Sequence, residues 1–178
     1  MTTIPTIETE RLFLRAFRDE DHSTFASFLA DEEATRFLGG PRDSGSAWRV
    51  MASFCGHWHL RGYGPFAVAE KQSDQLVGYC GPWFPHGWPE QEIMWGIVPE
   101  AQRRGFASES ASAARTWAYD DAGWPDAVSY ILPENVASQG VARRLGATTN
   151  ETIPYRDSMM QVWRHPSAVS LRNAKGAA

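Results

Sequence analysis

A chain of 178 residues, 43% of them hydrophobic and with eight Trp and nine Phe, holds enough apolar material for one domain with a sizeable core and is not a disordered segment. Its formal net charge of -4 argues against general nucleic-acid binding and suits a cationic acceptor such as an amine. Two cysteines, Cys55 and Cys80, and five scattered histidines set up neither a disulfide framework nor a metal site.

No apolar run approaches the length of a bilayer span, and no basic-then-apolar leader opens the chain, so a soluble cytoplasmic protein with no membrane partner is expected. Leu12, Leu14 and Phe17 alternate with Arg11 and Arg15, which predicts a strand over 10–17. Asp19, Glu20 and Asp21 favour a helix start, and Phe25, Phe28 and Leu29 supply its apolar stripe. Gly39-Gly40-Pro41 breaks the chain. Ser44 or Ser46 is placed to cap a second long helix with Trp48, Met51, Ala52, Cys55, Trp58 and His59 as its stripe. Gly62 and Gly64-Pro65 end that helix. Phe66–Glu70 and Leu76–Cys80 read as a hairpin around Gln72-Ser73-Asp74. Residues 81–89 contain three prolines and three aromatics and predict a stiff loop.

Glu92–Val98 is the next strand and Phe106–Tyr119 an Ala- and Ser-rich helix. Val128–Leu132 is a strand, and Asn135–Leu145 a helix stopped by Gly146. Residues 147–164 read as a closing pair of strands around Pro154, and the small, polar tail beyond 166 is expected to fray. With no repeat and no linker, residues 1–166 form one domain. The order β-α-α-β-β-β-α-β-α-β-β is mixed α/β.

Chemistry concentrates after the strand at 92–98, where Gln102-Arg103-Arg104-Gly105-Phe106-Ala107 opens directly into a helix. The first N–H groups of such a helix are unpaired. Together with the helix dipole and two arginines they make an anion site suited to phosphate or pyrophosphate. The bland reading of the same letters is a helix start with two solvated arginines. Gly105 allows close backbone approach and Ala107 is too small to block it. The pattern is neither G-x-x-x-x-G-K-[ST] nor G-x-G-x-x-G. It is Q-R-x-G-x-A, which resembles the acyl-CoA pyrophosphate loop of the Gcn5-related N-acetyltransferases (GNAT). Two further stretches point the same way. Thr9-Glu10-Arg11-Leu12-Phe13-Leu14-Arg15 is similar to the first strand of the RimJ/RimL branch. Asn135-Val136-Ala137-Ser138-Gln139-Gly140-Val141-Ala142-Arg143-Arg144-Leu145-Gly146-Ala147 resembles that branch's N-x-x-S-x-x-V-x-x-x-L-G-[FA] helix. Together the three matches extend from about Thr9 to Arg164.

The resemblance implies a mixed, mostly antiparallel sheet flanked by helices, in which the strands at 92–98 and 128–132 form a parallel pair that splays apart. It implies acetyl-CoA as co-substrate and no metal. The pantetheine arm would enter the gap and pair with the backbone near Ile97 and Val98, and residues 102–107 would hold the pyrophosphate, with Arg103 and Arg104 reaching phosphates. Asn135 would contact the arm. Ser138, standing where many relatives have a tyrosine, would donate a hydrogen bond to the leaving sulfur. An amine is largely protonated at neutral pH, so a proton acceptor helps. Glu92, at the mouth of the strand that holds the thioester, is the leading candidate, with Glu90 and His86 behind it. Glu109 is assigned to structure and helix-dipole support.

Both cysteines read as small core residues with nothing near to activate a thiol, so direct attack in a ternary complex is expected in place of a cysteine relay. The acceptor site is expected around 28–40, 79–90 and 155–160, with Tyr79, Trp83, Phe84 and Trp88 as an aromatic wall or as plain packing. The acceptor amine is a peptide N-terminus by branch resemblance, or a small metabolite or drug amine. An acidic open groove would favour the first and an enclosed aromatic pocket the second. A non-catalytic acyl-CoA-binding module is the remaining rival, and a monomer or homodimer is expected.

Overall fold

The sheet is antiparallel everywhere but at one seam, and that seam organises the molecule. The computed structural model describes residues 3–155 and 158–176. Its strands are β1 (Ile7–Glu8), β2 (Leu12–Arg15), β3 (Phe66–Glu70), β4 (Leu76–Trp83), β5 (Glu92–Ile97), β6 (Val128–Ile131), β7 (Thr148–Tyr155) and β8 (Ser158–Arg164). The helices are α1 (His22–Ala30), α2 (Glu32–Thr35), α3 (Ser44–Arg61), α4 (Phe106–Asp120), α5 (Val136–Arg144) and α6 (Ala168–Gly176). Strand order is β1-β2-β3-β4-β5-β6-β8-β7. Only β5 and β6 run parallel, joined through α4 as a β-α-β crossover. The mixed sheet flanked by helices is the expected fold class.

The main core fills the space between the sheet and helices α1, α3 and α4, and a smaller cluster of Ile131, Ala142, Ala147 and Trp163 sits by α5. Trp95 of β5 touches both. Among the described residues no helix is long and apolar enough to cross a membrane.

Four local expectations change. The cap of α3 is Asp43, whose carboxylate accepts the Ser46 N–H at 2.7 Å, not Ser44 or Ser46. The buried face of α3 is Ala47, Met51, Phe54, His57 and Trp58, while Trp48, Cys55 and His59 are exposed. The true stripe begins one residue earlier than the aromatic pattern indicated, and that shift turns Trp48 and Cys55 outward. Strand β4 continues through Gly81-Pro82-Trp83 instead of yielding to a loop. Pro82 lies opposite Ile93, two residues past the last β3–β4 pair at Phe66 and Cys80, so its missing N–H faces a place where β3 has already ended. Finally, residues 168–176 are helical: the Ala168 N–H donates to Pro125 O at 2.9 Å, Leu171 packs on the main core and Arg172 pairs with Asp120.

Entry into α1 is fixed by a buried ion pair. Arg15 and Asp21, each 5% exposed, share two hydrogen bonds of 2.8 and 2.9 Å, and Asp21 also accepts the Arg18 N–H at 2.8 Å. Asp21→Ala is expected to lower the unfolding free energy by about 3 kcal/mol, because a desolvated guanidinium loses its main partner. Urea denaturation reads this, and a loss too small to resolve would contradict a buried pair.

Candidate active site

Strands β5 and β6 share one register pair, Glu92 with Val128. On their far edges β5 is laddered to β4 from Glu92 to Ile97, and β6 to β8 from Val128 to Ile131. The sheet therefore opens between them. At the point of opening, backbone pairing gives way to side chains. The Val128 N–H still donates to Gln91 O at 2.9 Å. One step on, Ser129 Oγ donates to Ile93 O at 2.6 Å, and the Glu92 carboxylate accepts the Tyr130 N–H at 3.2 Å.

Backbone groups along a strand alternate in direction. The Val98 N–H donates to Val77 O on the β4 side at 3.0 Å, so the backbone of Trp95 and the N–H of Ile97 face the gap. Val98 itself is not free to pair with a ligand there, since its carbonyl also accepts the Ala101 N–H. Gln102 is likewise engaged, its amide donating to Ile97 O at 3.1 Å.

A buried chain pins the seam. Arg115 Nη1 donates to Leu145 O at 2.7 Å and lies 3.2 Å from His165 Nδ1. His165 Nε2 is 3.0 Å from Ser129 Oγ. Burial, with the Arg115 charge adding to it, pulls the His165 pKa down to about 3. The neutral ring thus accepts at Nδ1 and donates from Nε2. No sequence pattern announces this chain, because its members are far apart in sequence.

Glu92 sits at the seam, 6% exposed. Trp88 Nε1 donates to one carboxylate oxygen at 2.9 Å and the Tyr130 N–H to the other. Burial pushes its pKa up to about 7, against those two hydrogen bonds, which favour the ionised form. The group is therefore poised to exchange a proton near neutrality. Glu90 is taken by Arg164 through two hydrogen bonds of 2.8 and 3.0 Å, and His86 is exposed on the loop before β5.

At the carboxyl end of β5 the chain turns into α4. Gly105, at φ 85°, precedes the helix and offers no side chain to cap it, so the N–H groups of Phe106, Ala107 and Ser108 lack intrahelical partners. Arg103 is exposed, holds φ 60°, and makes no hydrogen bond or ion pair among the described residues. A non-glycine residue there stores strain, which is a mark of functional turns. Arg104 is committed instead. It pairs with Glu70 and stacks on Phe106, and its carbonyl accepts from Arg11 at 2.8 Å. Glu109 binds Thr9 Oγ1, the Arg11 N–H and the Arg11 guanidinium, tying β2 to α4. Burial would raise its pKa, but these hydrogen bonds hold it below the usual value.

Across the gap, Asn135 caps α5, its carbonyl accepting the Ser138 N–H at 3.1 Å, which leaves only its amide NH2 for a ligand. The Ser138 hydroxyl has no partner among the described residues. Asn135, Ser138 and Glu92 line one cavity of about 490 Å3. Its walls draw on all three expected acceptor segments: Leu38 and Gly39, then Tyr79, Trp83 and Trp88, then Tyr155, Ser158 and Met160. Arg156 and Asp157 lie outside the described residues. Phe84 is not part of this wall; its N–H donates to His57 Nε2 at 3.3 Å. The Tyr79 ring lies across Gly96, where a Cβ would come within 2.5 Å of it, so β5 needs glycine there. Cys80 is buried with its thiol pushed up to about 12 by desolvation, and Cys55 is exposed, not a core residue.

Residues 11–148 match the family model of the Acetyltransferase (GNAT) domain. The chain belongs to the GNAT acetyltransferase family. As a GNAT protein it is an acyltransferase acting on amino groups, a class whose acceptors are peptides or small amines. An acetyltransferase of known structure from Agrobacterium tumefaciens is 33% identical, covers 92% of this chain and 95% of its own, and superposes with a TM-score of 0.84. An uncharacterised N-acetyltransferase of Bacillus subtilis, YoaA, is 24% identical over 148 residues, 80% of this chain and 82% of the relative. The spermidine N-acetyltransferase of Vibrio cholerae, solved with CoA and spermine, is 17% identical over 93% of this chain and all of its own (100%), with a TM-score of 0.73. At that identity the likeness is one of fold.

The buried carboxylate of Glu92 makes stability depend on pH. Its folded pKa lies above the value of about 4.5 in the unfolded chain, so its contribution is full below about pH 4.5 and is lost as pH rises through about 7. Between pH 5 and 8 the GNAT domain is expected to lose on the order of 3 kcal/mol that Glu92→Gln does not lose. The amide accepts from only one of the two donors, so the informative readout is the slope of stability with pH, not its absolute value. Parallel slopes for the two proteins would refute a raised pKa.

Proposed function

We propose that this chain is an acetyl-CoA-dependent N-acetyltransferase that transfers acetyl by direct attack in a ternary complex, with a small-molecule primary amine as acceptor. The observation that carries it is Glu92, a buried carboxylate with a pKa near neutrality that shares one cavity with the unpartnered hydroxyl of Ser138. The fold supports donor binding: the unpaired N–H groups at the start of α4 and the free guanidinium of Arg103 suit the pyrophosphate, and the gap between β5 and β6 suits the pantetheine arm. Asn135 and the backbone of Trp95 and Ile97 line the arm's path.

With the donor in place, Glu92 takes the proton of the ammonium, directly or through water. The neutral nitrogen attacks the acetyl carbonyl carbon, the carbon–sulfur bond breaks, and the thiolate, held by a hydrogen bond from Ser138, takes the second nitrogen proton and leaves as the thiol. A serine is a poor acid, but a thiol with a pKa of about 8.5 leaves readily. Cys80, held protonated, offers no covalent route.

The cavity wall favours a small amine over a peptide. It is largely apolar, rich in aromatic rings, and holds one carboxylate, so it lacks the acidic lining a peptide N-terminus calls for. The motifs at Thr9–Arg15 and Asn135–Ala147 favour the second reading, a RimJ/RimL-like enzyme that modifies a protein N-terminus. Screening the purified protein with acetyl-CoA against small amines, aminoglycosides and N-terminal peptides separates the two, and binding without turnover of any amine would leave the non-catalytic module.

Glu92→Gln should keep acetyl-CoA affinity near wild type while the maximal rate falls by roughly ten- to a thousandfold. In the wild type, kcat/KM should rise with pH through an inflection near 7, since the ionised carboxylate is the base. The variant should lack that inflection and recover partly at high pH, where more of the acceptor is already neutral. An unchanged rate and profile would remove Glu92 from the chemistry.

For the phosphate loop, Gly105 is a poor probe, because its left-handed backbone would strain any β-branched replacement. Arg103→Ala is cleaner. Calorimetry should show acetyl-CoA binding weakened by roughly three- to tenfold with a shallower salt dependence and an unchanged Tm. Normal binding would place the phosphates elsewhere.

A further inference from the structure

The acceptor cavity contains a second charge that no carboxylate answers among the described residues. Arg42, in the segment between α2 and α3, lines the same cavity as Glu92. Its side chain makes one long hydrogen bond, Nη2 to Leu38 O at 3.4 Å, and no carboxylate lies within ion-pair distance among the described residues. Arg36, the other guanidinium of this wall, is already paired with Glu33 at 2.7 Å. Arg42 and Glu92 both act electrostatically on the Tyr79 phenol, which burial pushes up first and the Glu92 charge second, with Arg42 opposing. Yet the two are not paired with each other.

Arg42 is also firmly placed. Its own N–H donates to Leu29 O at the end of α1 at 2.7 Å, and the next residue, Asp43, caps α3. Much of the remaining surface is Phe54, Tyr79, Trp83, Trp88 and Met94. An arginine with an anchored backbone that lines a cavity rich in aromatic rings, most of its guanidinium donors unused among the described residues, is arranged for an oxyanion.

We propose that the acceptor is amphoteric: an anionic group, carboxylate or phosphate, binds Arg42 while the primary amine of the same molecule reaches Glu92, with a flat or apolar body between them. This rests on the N-acetyltransferase reading and narrows it. Polyamines fit badly, because a second ammonium would meet Arg42.

Matched amines with and without the acid test it: para-(aminomethyl)benzoate against benzylamine, tyrosine against tyramine, phosphoethanolamine against ethylamine, and spermidine as the cationic control. In the wild type at least one anionic member should exceed its neutral partner in kcat/KM by roughly ten- to a hundredfold, the scale of a charge-assisted hydrogen bond. Arg42→Gln should erase that advantage through KM, with kcat for the neutral member and acetyl-CoA affinity unchanged. Arg42→Glu should turn the preference toward spermidine. Equal turnover within every pair, preference of the wild type for spermidine, or an equal loss for both members in Arg42→Gln would overturn the proposal. If no amine is acetylated, the catalytic reading fails, and calorimetric titration of the same pairs decides the acceptor chemistry separately. Tighter binding of an anionic member to wild type than to Arg42→Gln supports it, and equal binding refutes it.

Discussion

A single backbone register pair, Glu92 with Val128, joins the two halves of the sheet, and everything at the site depends on how that joint is made. Two parallel strands normally continue their ladder for several residues. Here the ladder is cut after one step because the next bonds are supplied by side chains: Ser129 Oγ takes the Ile93 carbonyl and the Glu92 carboxylate takes the Tyr130 N–H. Each strand lends a side chain to the other's backbone, so the ladder ends with the Ile93 carbonyl and the Tyr130 N–H still paired. Beyond it, β5 exposes donors to a gap that opens onto the start of α4. Open α/β sheets bind ligands outside the carboxyl ends of parallel strands for the same reason, since crossover helices begin there.

The fork holds two ionisable groups with opposite tuning. His165 is buried beside Arg115 and stays neutral across physiological pH, so the chain Arg115–His165–Ser129–Ile93 does not titrate and the joint stays mechanically constant. Glu92, at the joint itself, is buried but given two donors, and its pKa settles near neutrality. A group meant only for structure would gain by being paired with a cation, as Asp21 is with Arg15. Glu92 has no such cation among the described residues. Its cost in stability above neutral pH is consistent with a role in proton transfer.

The same contrast sorts the arginines. Arg11, Arg15, Arg104 and Arg164 are each closed by a carboxylate, and they tie β2, α4 and β8 into the scaffold. Arg42 and Arg103 are not closed in this way. One faces the cavity and the other stands at the strained turn before α4. Two guanidiniums without a carboxylate partner among the described residues, one lining the cavity and one at that turn, fit the proposed reaction between an anionic donor and an acceptor with an anionic group of its own.

Much of this was legible in the amino-acid sequence, and the reason is locality. The period of apolar residues, the Gly and Pro breaks and the loop Gln102–Ala107 report on neighbours a few positions apart, and they sufficed for the order of the longer elements up to β8, the fold class and the start of α4, but not for the short β1 and α2 or for α6. The place of Glu92 at the head of a strand was legible as well. What failed were features set by distant partners. The buried face of α3 differs from the sequence expectation at Trp48 and Cys55 because several faces of that helix carry apolar residues, and only the packing beneath decides which is buried. Pro82 read as a strand breaker because the sequence does not tell where β3 ends. The pairing of Arg104 with Glu70, the engagement of Val98 and Gln102, the Ser129–His165–Arg115 chain and the open guanidinium of Arg42 all join residues from separate elements. Their charge states and free hydrogen bonds depend on burial and on partners far along the chain, which only the tertiary structure brings together.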